Sequence, residues 1–466
     1  MTDPHALADA PIPGPIVPSR SPKARRRPSA AGRTRRRDRV APRLEWLEVR
    51  TLLSSTPTII SVTSNADTGT GTLRAAIQSL DSSNASLTII QFKLPLGELT
   101  ITPKTALPAI TAPVEIEGSS QTEIRGAPPV VVISGSSAPQ GSSGLTLAAG
   151  SSGSIIEGLV INQFASGDGL DLASSNDLVT DCDIGTTAGG GSAAGNEDGI
   201  AITAAGAGCT IGGSASGDAN IISGNANYGI EIGASSCLVQ GNGIGTNATD
   251  SAPLGNKVSI YVHGTGATIG GSASGDANII SGNTGYGIDI EAASCLVEGD
   301  LIGTNTAAYS DIGNKNGIYV DGAEATIGGS ASGDANTIAG NEYDGINIEA
   351  ASCLVEGNWI GTNAAGYPAI PNNTGIYVDG TGATIGGSAS GDANTISGNQ
   401  GDGIDIEAAS CLVEGNWIGT NPSGSTGIGN NEAGIYVQGT GATIGGSAAG
   451  DANIICGNLQ DGIDIE

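Results

Sequence analysis

The chain has 466 residues, 76 of them Gly, with only two Phe, one Met and three Trp, and its 18 basic and 46 acidic side chains give a net charge of −28. So much Gly excludes a mainly helical protein, because each Gly destabilises a helix interior by roughly 1 kcal/mol relative to Ala. Gly does not recur at every third residue as in collagen, no 18-residue apolar run marks a transmembrane helix, and regularly placed Ile and Val exclude a wholly disordered chain.

Charge is divided along the chain. Residues 1–50 hold 12 basic and five acidic side chains, a net +7, which leaves −35 on the remainder. Residues 1–43 are rich in Pro, Ala and Arg without apolar periodicity, and read as a disordered, solvated targeting tail. The arginine runs at 25–27 and 35–37 also suit anionic lipid or nucleic acid, but no apolar stretch follows them to make a standard secretory signal. The segment 42–54, PRLEWLEVRTLLS, resembles the LEPR-XLL type of N-terminal segment found in large, repetitive bacterial surface proteins. That resemblance implies export or surface sorting. Residues 1–55 are therefore read as a leader.

Residues 56–165 read as a cap with irregular first coils. Thr72 ahead of Leu73, Ile77 and Leu80 predicts a short amphipathic helix covering the first coil. Short strands are predicted at 88–92, 99–102, 114–117, 130–134 and 144–147.

Residues 166–466 repeat. The string Ile-Gly-Gly-Ser-Ala begins at Ile211, Ile269, Ile327, Ile385 and Ile444, at spacings of 58, 58, 58 and 59. Each unit splits into halves of about 28–30 residues, and each half carries three short apolar runs with Gly and Asn between them. Three strands per period of this length describe one coil of a parallel β-helix. Alternation places Ile346 and Ile348 inward and Asn347 and Glu349 outward. The corner Gly and Asn are expected to supply positive φ. The chain stops at Glu466 inside a first strand, so this edge is expected to be continued by further chain or covered by a partner.

Blocks such as Ile385-Gly-Gly, Ser397-Gly-Asn and Ile418-Gly-Thr-Asn, with Thr72-Leu-Arg-Ala-Ala-Ile at the start, resemble large secreted bacterial β-helix proteins. Residues 56–466 as a whole resemble the right-handed parallel β-helix family of pectin-lyase-like architecture. The resemblance implies an all-β solenoid. The family holds polysaccharide lyases, glycoside hydrolases and adhesins, so chemistry has to come from the residues. Its lyases use Arg or Lys as the base, and its polygalacturonases a Gly-His-Gly and an Arg-x-Lys element. From Gly169 onward this chain has only Lys257 and Lys315, both in insert loops, and one histidine, His263. Neither polygalacturonase element is present. A standard site of either kind is not expected.

What the repeat does offer is a carboxylate and tyrosine face. Asp289 and Glu291 lie two apart on one strand, Asp405 and Glu407 repeat them, and Asn347 with Glu349 varies them. Their separation of roughly 6–7 Å along a strand is near that of inverting hydrolases. Intervening coils place Tyr261, Tyr319, Tyr377 and Tyr436 on the same face, with His263, Asp321, Asp379 and Gln438 beside them. Tyrosines on alternate coils stand about 9.6 Å apart, close to a disaccharide repeat. The plainer alternative is a solvated acidic face with Tyr as strand filler. Repetition argues against catalysis, since an active site is normally unique in a chain.

Three further sets have plain readings. Trp359 and Trp417, one unit apart, either pack under insert loops or form a second platform. Asp218, Asp276, Asp334, Asp392 and Asp451 recur in Ser-Gly-Asp-Ala-Asn or its variant and read as turn caps, with weak Ca²⁺ binding as the alternative. Cys237, Cys295, Cys353 and Cys411 read as small core residues on alternate coils, while Cys209 and Cys237 share a slot on adjacent coils that admits a disulfide.

The expected protein is thus an extracellular or cell-surface right-handed parallel β-helix with a structural or adhesive, non-enzymatic role. Its expected partner is a polysaccharide or cell-surface glycan, held by Asp289, Glu291, Tyr319, Asp321, Asn347, Glu349, Tyr377, Asp379, Asp405 and Glu407. The variable inserts 248–258, 306–316, 364–374 and 422–433 are the alternative contact surface. The other reading is a polysaccharide-active enzyme using the outward carboxylates. No cofactor, nucleic acid or metal beyond weak Ca²⁺ is expected.

Overall fold

The computed structural model describes residues 56–80, 87–121, 129–305, 312–366, 368–424 and 428–466. The leader with its arginine runs and LEPR-XLL-like segment lies outside these residues.

One coil shows the build. Its first strand is Ile346–Ile348, its second Leu354–Glu356 and its third Trp359–Ile360. Each pairs in parallel with the same strand of the next coil: Ile346 with Ile376, Leu354 with Thr384, Trp359 with Thr395. Repetition gives three parallel sheets. Among the described residues the first strands make a sheet of 12, the second a sheet of 14 and the third a sheet of 13, in about 13 coils. Inward Ile346, Ile348, Val355 and Ile360 are fully buried, and their equivalents form one continuous apolar core from Val62 to Val437. Stacked aliphatics thus replace the aromatic core that this sequence lacks.

The cap forms as the sequence predicts. Helix Leu73–Gln78 buries Leu73, Ala76 and Ile77, and the Thr72 hydroxyl accepts the Ala75 amide at 3.2 Å. Arg74 fixes the helix to the following chain by pairing with Asp67 at 2.6 Å and donating to the Thr105 and Ala106 carbonyls. The irregular strands are Thr88–Phe92, Thr100–Ile101, Val114–Glu117, Val131–Ser134 and Leu145–Leu147.

The corner glycines supply positive φ as expected, as at Gly241 and Gly357, and Asn176 does so at the corner where later coils have serines such as Ser294, Ser352 and Ser410. The other corner asparagines differ from expectation. The Asn side chains instead turn inward as two buried amide ladders. Between the second and third sheets, Asn358 N and Nδ2 both donate to Asn394 Oδ1 at 3.0 Å, and Nδ2 also reaches the Ile327 carbonyl at 2.9 Å. Between the third and first sheets, Asn341 N and Nδ2 donate to Asn372 Oδ1 at 3.0 and 2.9 Å. A sharp corner breaks the backbone ladder, and the side-chain amides satisfy the buried N–H and C=O groups left over. The Gly of Ile-Gly-Gly has its own steric cause: Gly328 has φ of 84°, and a Cβ there would lie 2.0 Å from the Glu356 carbonyl oxygen.

Candidate functional site

The outward residues of the first sheet align as the sequence predicts. Glu231, Tyr261, Asp289, Tyr319, Asn347, Tyr377, Asp405, Tyr436 and Asp464 form one column in strict parallel register. Two residues further along each strand come His263, Glu291, Asp321, Glu349, Asp379, Glu407, Gln438 and Glu466. All ten site residues expected from the sequence therefore share one face.

The hydrogen bonds across this face repeat. Tyr261 Oη donates to Glu291 Oε2 at 2.6 Å, and Tyr436 Oη to Glu466 Oε2 at 3.1 Å. The Tyr319 and Tyr377 hydroxyls face Glu349 and Glu407 in the same way. Each tyrosine thus faces a glutamate one coil on. For Tyr261 the bond to Glu291 is the main reason its phenol is held above the ordinary value, with burial second. For Tyr319 and Tyr377 burial leads and the facing glutamate follows. The hydroxyls stay protonated.

The aspartates between the rings are partly enclosed. Asp289 and Asp405 are half-buried, and the Oδ1 of each is enclosed without a hydrogen-bond partner, as is Asn347 Oδ1 in the same column. Burial pushes the Asp289 carboxyl up to about 6, with Glu291 and Asp321 adding repulsion. Burial does the same for Asp405, also to about 6, with Asp402, Glu407 and Asp344 adding to it. His263 Nε2 lies 3.1 Å from Glu231 Oε1 across the strand pair.

Two further tyrosines belong to the face. Tyr228 stacks on Tyr261 with ring centroids 4.8 Å apart, and Tyr286 on Tyr319 at 5.0 Å. Both immediately precede the recurring Gly of a first strand, 58 residues apart, and that spacing was the signal available for them. The matching positions later in the chain are Asp344, Asp402 and Asp461. Asp168 and Asp198 hold the same position before them, so this edge of the face is aromatic at Tyr228 and Tyr286 and acidic on either side.

The remaining candidates lie elsewhere. Trp359 and Trp417 are half-buried on the third sheet, in register on either side of Thr395. Lys315 Nζ sits over the Tyr343 ring, 5.5 Å from its centroid, beside a cavity of about 590 Å³ bordered by Thr284, Glu342, Pro368 and Gln400. The recurring insert aspartates cap their turns: the Oδ2 atoms of Asp276 and Asp334 each accept an alanine amide three residues earlier at 3.1 Å. Among the described residues no three His, Cys, Asp or Glu side chains converge on a metal position. Cys209 and Cys237 are buried free thiols on neighbouring coils, and burial pushes the Cys209 thiol up to about 12.

No protein-family model and no curated protein sequence matches the chain. Similar solved structures include the A-modules of two Azotobacter vinelandii mannuronan C-5 epimerases. AlgE6 is 15% identical over 86% of this chain and 98% of its own, with a TM-score of 0.46. AlgE4 is 12% identical over 87% and 97%, with a TM-score of 0.43. Pectate lyase Pel9A is 12% identical over 86% of this chain and 80% of its own, with a TM-score of 0.32. The parallel β-helix itself is established by the three sheets.

Proposed function

We propose that this is a non-enzymatic, extracellular or cell-surface β-helix module that binds a glycan along the outer face of its first sheet. The observation that carries this reading is the repetition of one tyrosine–glutamate pairing at alternate coils, hydrogen-bonded at Tyr261 and Tyr436 and facing in the same way at Tyr319 and Tyr377. It holds half-exposed rings at a spacing that suits the sugars of an extended chain. Asp289, Glu291, Asp321, Asn347, Glu349, Asp379, Asp405 and Glu407 supply acceptors for sugar hydroxyls between Tyr319, Tyr377 and their equivalents.

A second reading, hydrolysis by the Asp289–Glu291 or Asp405–Glu407 pair, is favoured by the raised aspartate carboxyls. Against it, Glu291 already holds the Tyr261 hydroxyl and Asp289 Oδ1 is enclosed. One experiment separates the two. The protein is run through gels containing plant, algal or bacterial polysaccharides, and the same mixtures are assayed for new reducing ends. Retardation by some glycan is expected, weakened about threefold to tenfold by Tyr319→Ala or Tyr377→Ala, since an aromatic contact contributes about 0.5–1.5 kcal/mol. Retardation untouched by both variants would remove the face from the binding site. Reducing ends that vanish in Asp289→Ala would make the protein an enzyme.

A further inference from the structure

Between Asn220 and Asn453 the amide ladder joining the second and third sheets has one rung that is not an amide. Asn242, Asn278, Asn336, Asn358 and Asn394 follow one another along it, with Asp300 between Asn278 and Asn336. At an amide rung Nδ2 donates in two directions. Asn242 Nδ2 reaches the Ile211 carbonyl and Asn278 Oδ1, both at 3.0 Å, and Asn358 makes the equivalent pair. The register sets the Ile269 carbonyl and Asn336 Oδ1 at these positions around Asp300. Asp300 also fills the same space as an asparagine. A Cβ on Gly270 would meet its Oδ2 and Oδ1 at 2.6 and 2.7 Å, as one on Gly328 would meet Asn358 Nδ2 and Oδ1 at 2.6 and 2.5 Å.

Asp300 is fully buried. Its Oδ1 accepts both Asn278 N at 2.7 Å and Asn278 Nδ2 at 2.9 Å, while its Oδ2 has no partner. That second oxygen stands where the ladder requires a donor, among acceptors. The charged groups around it offer no relief. Glu298, two residues earlier on the same turn, repels it, and the neighbouring insert carboxylates Asp276 and Asp334 face their own turn amides. Among the described residues no cation pairs with it.

We propose that Asp300 is a protonated rung whose carboxylic hydrogen replaces one of the two amide hydrogens of an asparagine, and that loss of this proton opens the solenoid at this coil. Burial pushes the Asp300 carboxyl up to about 8, against the two Asn278 donations and with Glu298 adding to the rise. Its folded value lies above the unfolded one, so the rung is sound at low pH. The stability it contributes is lost as pH climbs from about 4 to about 8, by at most about tenfold in the opening equilibrium per pH unit.

The test is amide hydrogen exchange of the intact chain and two variants, from pH 5 to 9. In Asp300→Asn the amides of residues 296–304 are expected to be better protected than in the parent. The ratio should grow toward pH 8 and then level off. Asn358→Asp moves the device by one 58-residue unit and is expected to weaken residues 354–360 with the same pH dependence. A ratio that does not change with pH in either variant overturns the proposal. If Asp300→Asn does not fold, Asn358→Asp decides alone, and pH-independent loss of protection there overturns it.

Discussion

At the scale of single residues, the asparagines decide more than their sequence context reveals. Removing Asn358 leaves Asn336 N and Nδ2 without the oxygen that accepts both. A buried donor without a partner costs about 1–3 kcal/mol. Asn358→Ala is therefore expected to destabilise the fold by about 3 kcal/mol or more in urea titrations, while Asp379→Ala on the outer face should stay within about 0.5 kcal/mol. An unchanged midpoint for Asn358→Ala would show that water replaces the amide. The positions of these residues were legible from the repeat, but their role was not. Asn before a strand serves equally as a positive-φ corner or an inward amide, and only a stacked neighbour selects the second. The tyrosine–carboxylate column was legible because strand alternation and a constant period determine which side chains share a face. The bonds within it were not: Tyr261 reaches Glu291 diagonally, a choice made by side-chain length rather than by register. Tyr228 and Tyr286 went unread because they precede the Gly that marks the strand start.

At the scale of elements, a solenoid coil is stabilised only by its neighbours, so its ends respond locally. Helix Leu73–Gln78 packs Leu73 and Ile77 into the first coil, and the side-chain bond at its N-terminal end comes from Thr72. Thr72→Ala is expected to destabilise the helix by about 1 kcal/mol. Amide exchange should place the loss in the strands Thr58–Val62 and Thr88–Phe92 and leave Ile404–Ile406 unchanged. Uniform loss along the chain would mean that the coils unfold as one unit. Chain order and strand positions here were readable because each strand is a short alternating run bounded by Gly. The inserts are harder to read. The Ser-Gly-Asp turns stack on one another across 58 residues: a Cβ on Gly333 would run into the Ser272 carbonyl, an approach between coils that are not adjacent.

At the scale of the whole molecule, charge and burial act in the same direction. Among the described residues every resolved shift of a carboxyl is upward. Burial is the leading cause for Asp168 and Asp183, both to about 7, for Asp177, Asp289 and Asp405, each to about 6, and for Asp300, to about 8. Neighbouring carboxylates add to several of these, as expected where basic residues are so few. The sign follows directly. A carboxyl whose folded value exceeds its unfolded value of about 4 is bound more tightly to its proton in the fold. Its contribution is complete at low pH and is lost as pH rises through the folded value. Most proteins lose stability toward acid because their paired carboxylates must be protonated, and among the described residues few carboxylates are so paired. Its melting temperature is expected to be higher at pH 5.5 than at pH 8, with both points above the sequence pI of about 4.1. Asp300→Asn should remove part of that difference and leave the part carried by Asp168, Asp183, Asp289 and Asp405. Added salt should raise the melting temperature at pH 8 more than at pH 5.5, because screening weakens repulsion among ionised groups and has less to act on when they are neutral. A melting temperature that rises with pH would mean that these carboxyls ionise freely in the fold and that water reaches the Asp300 rung and the enclosed aspartates.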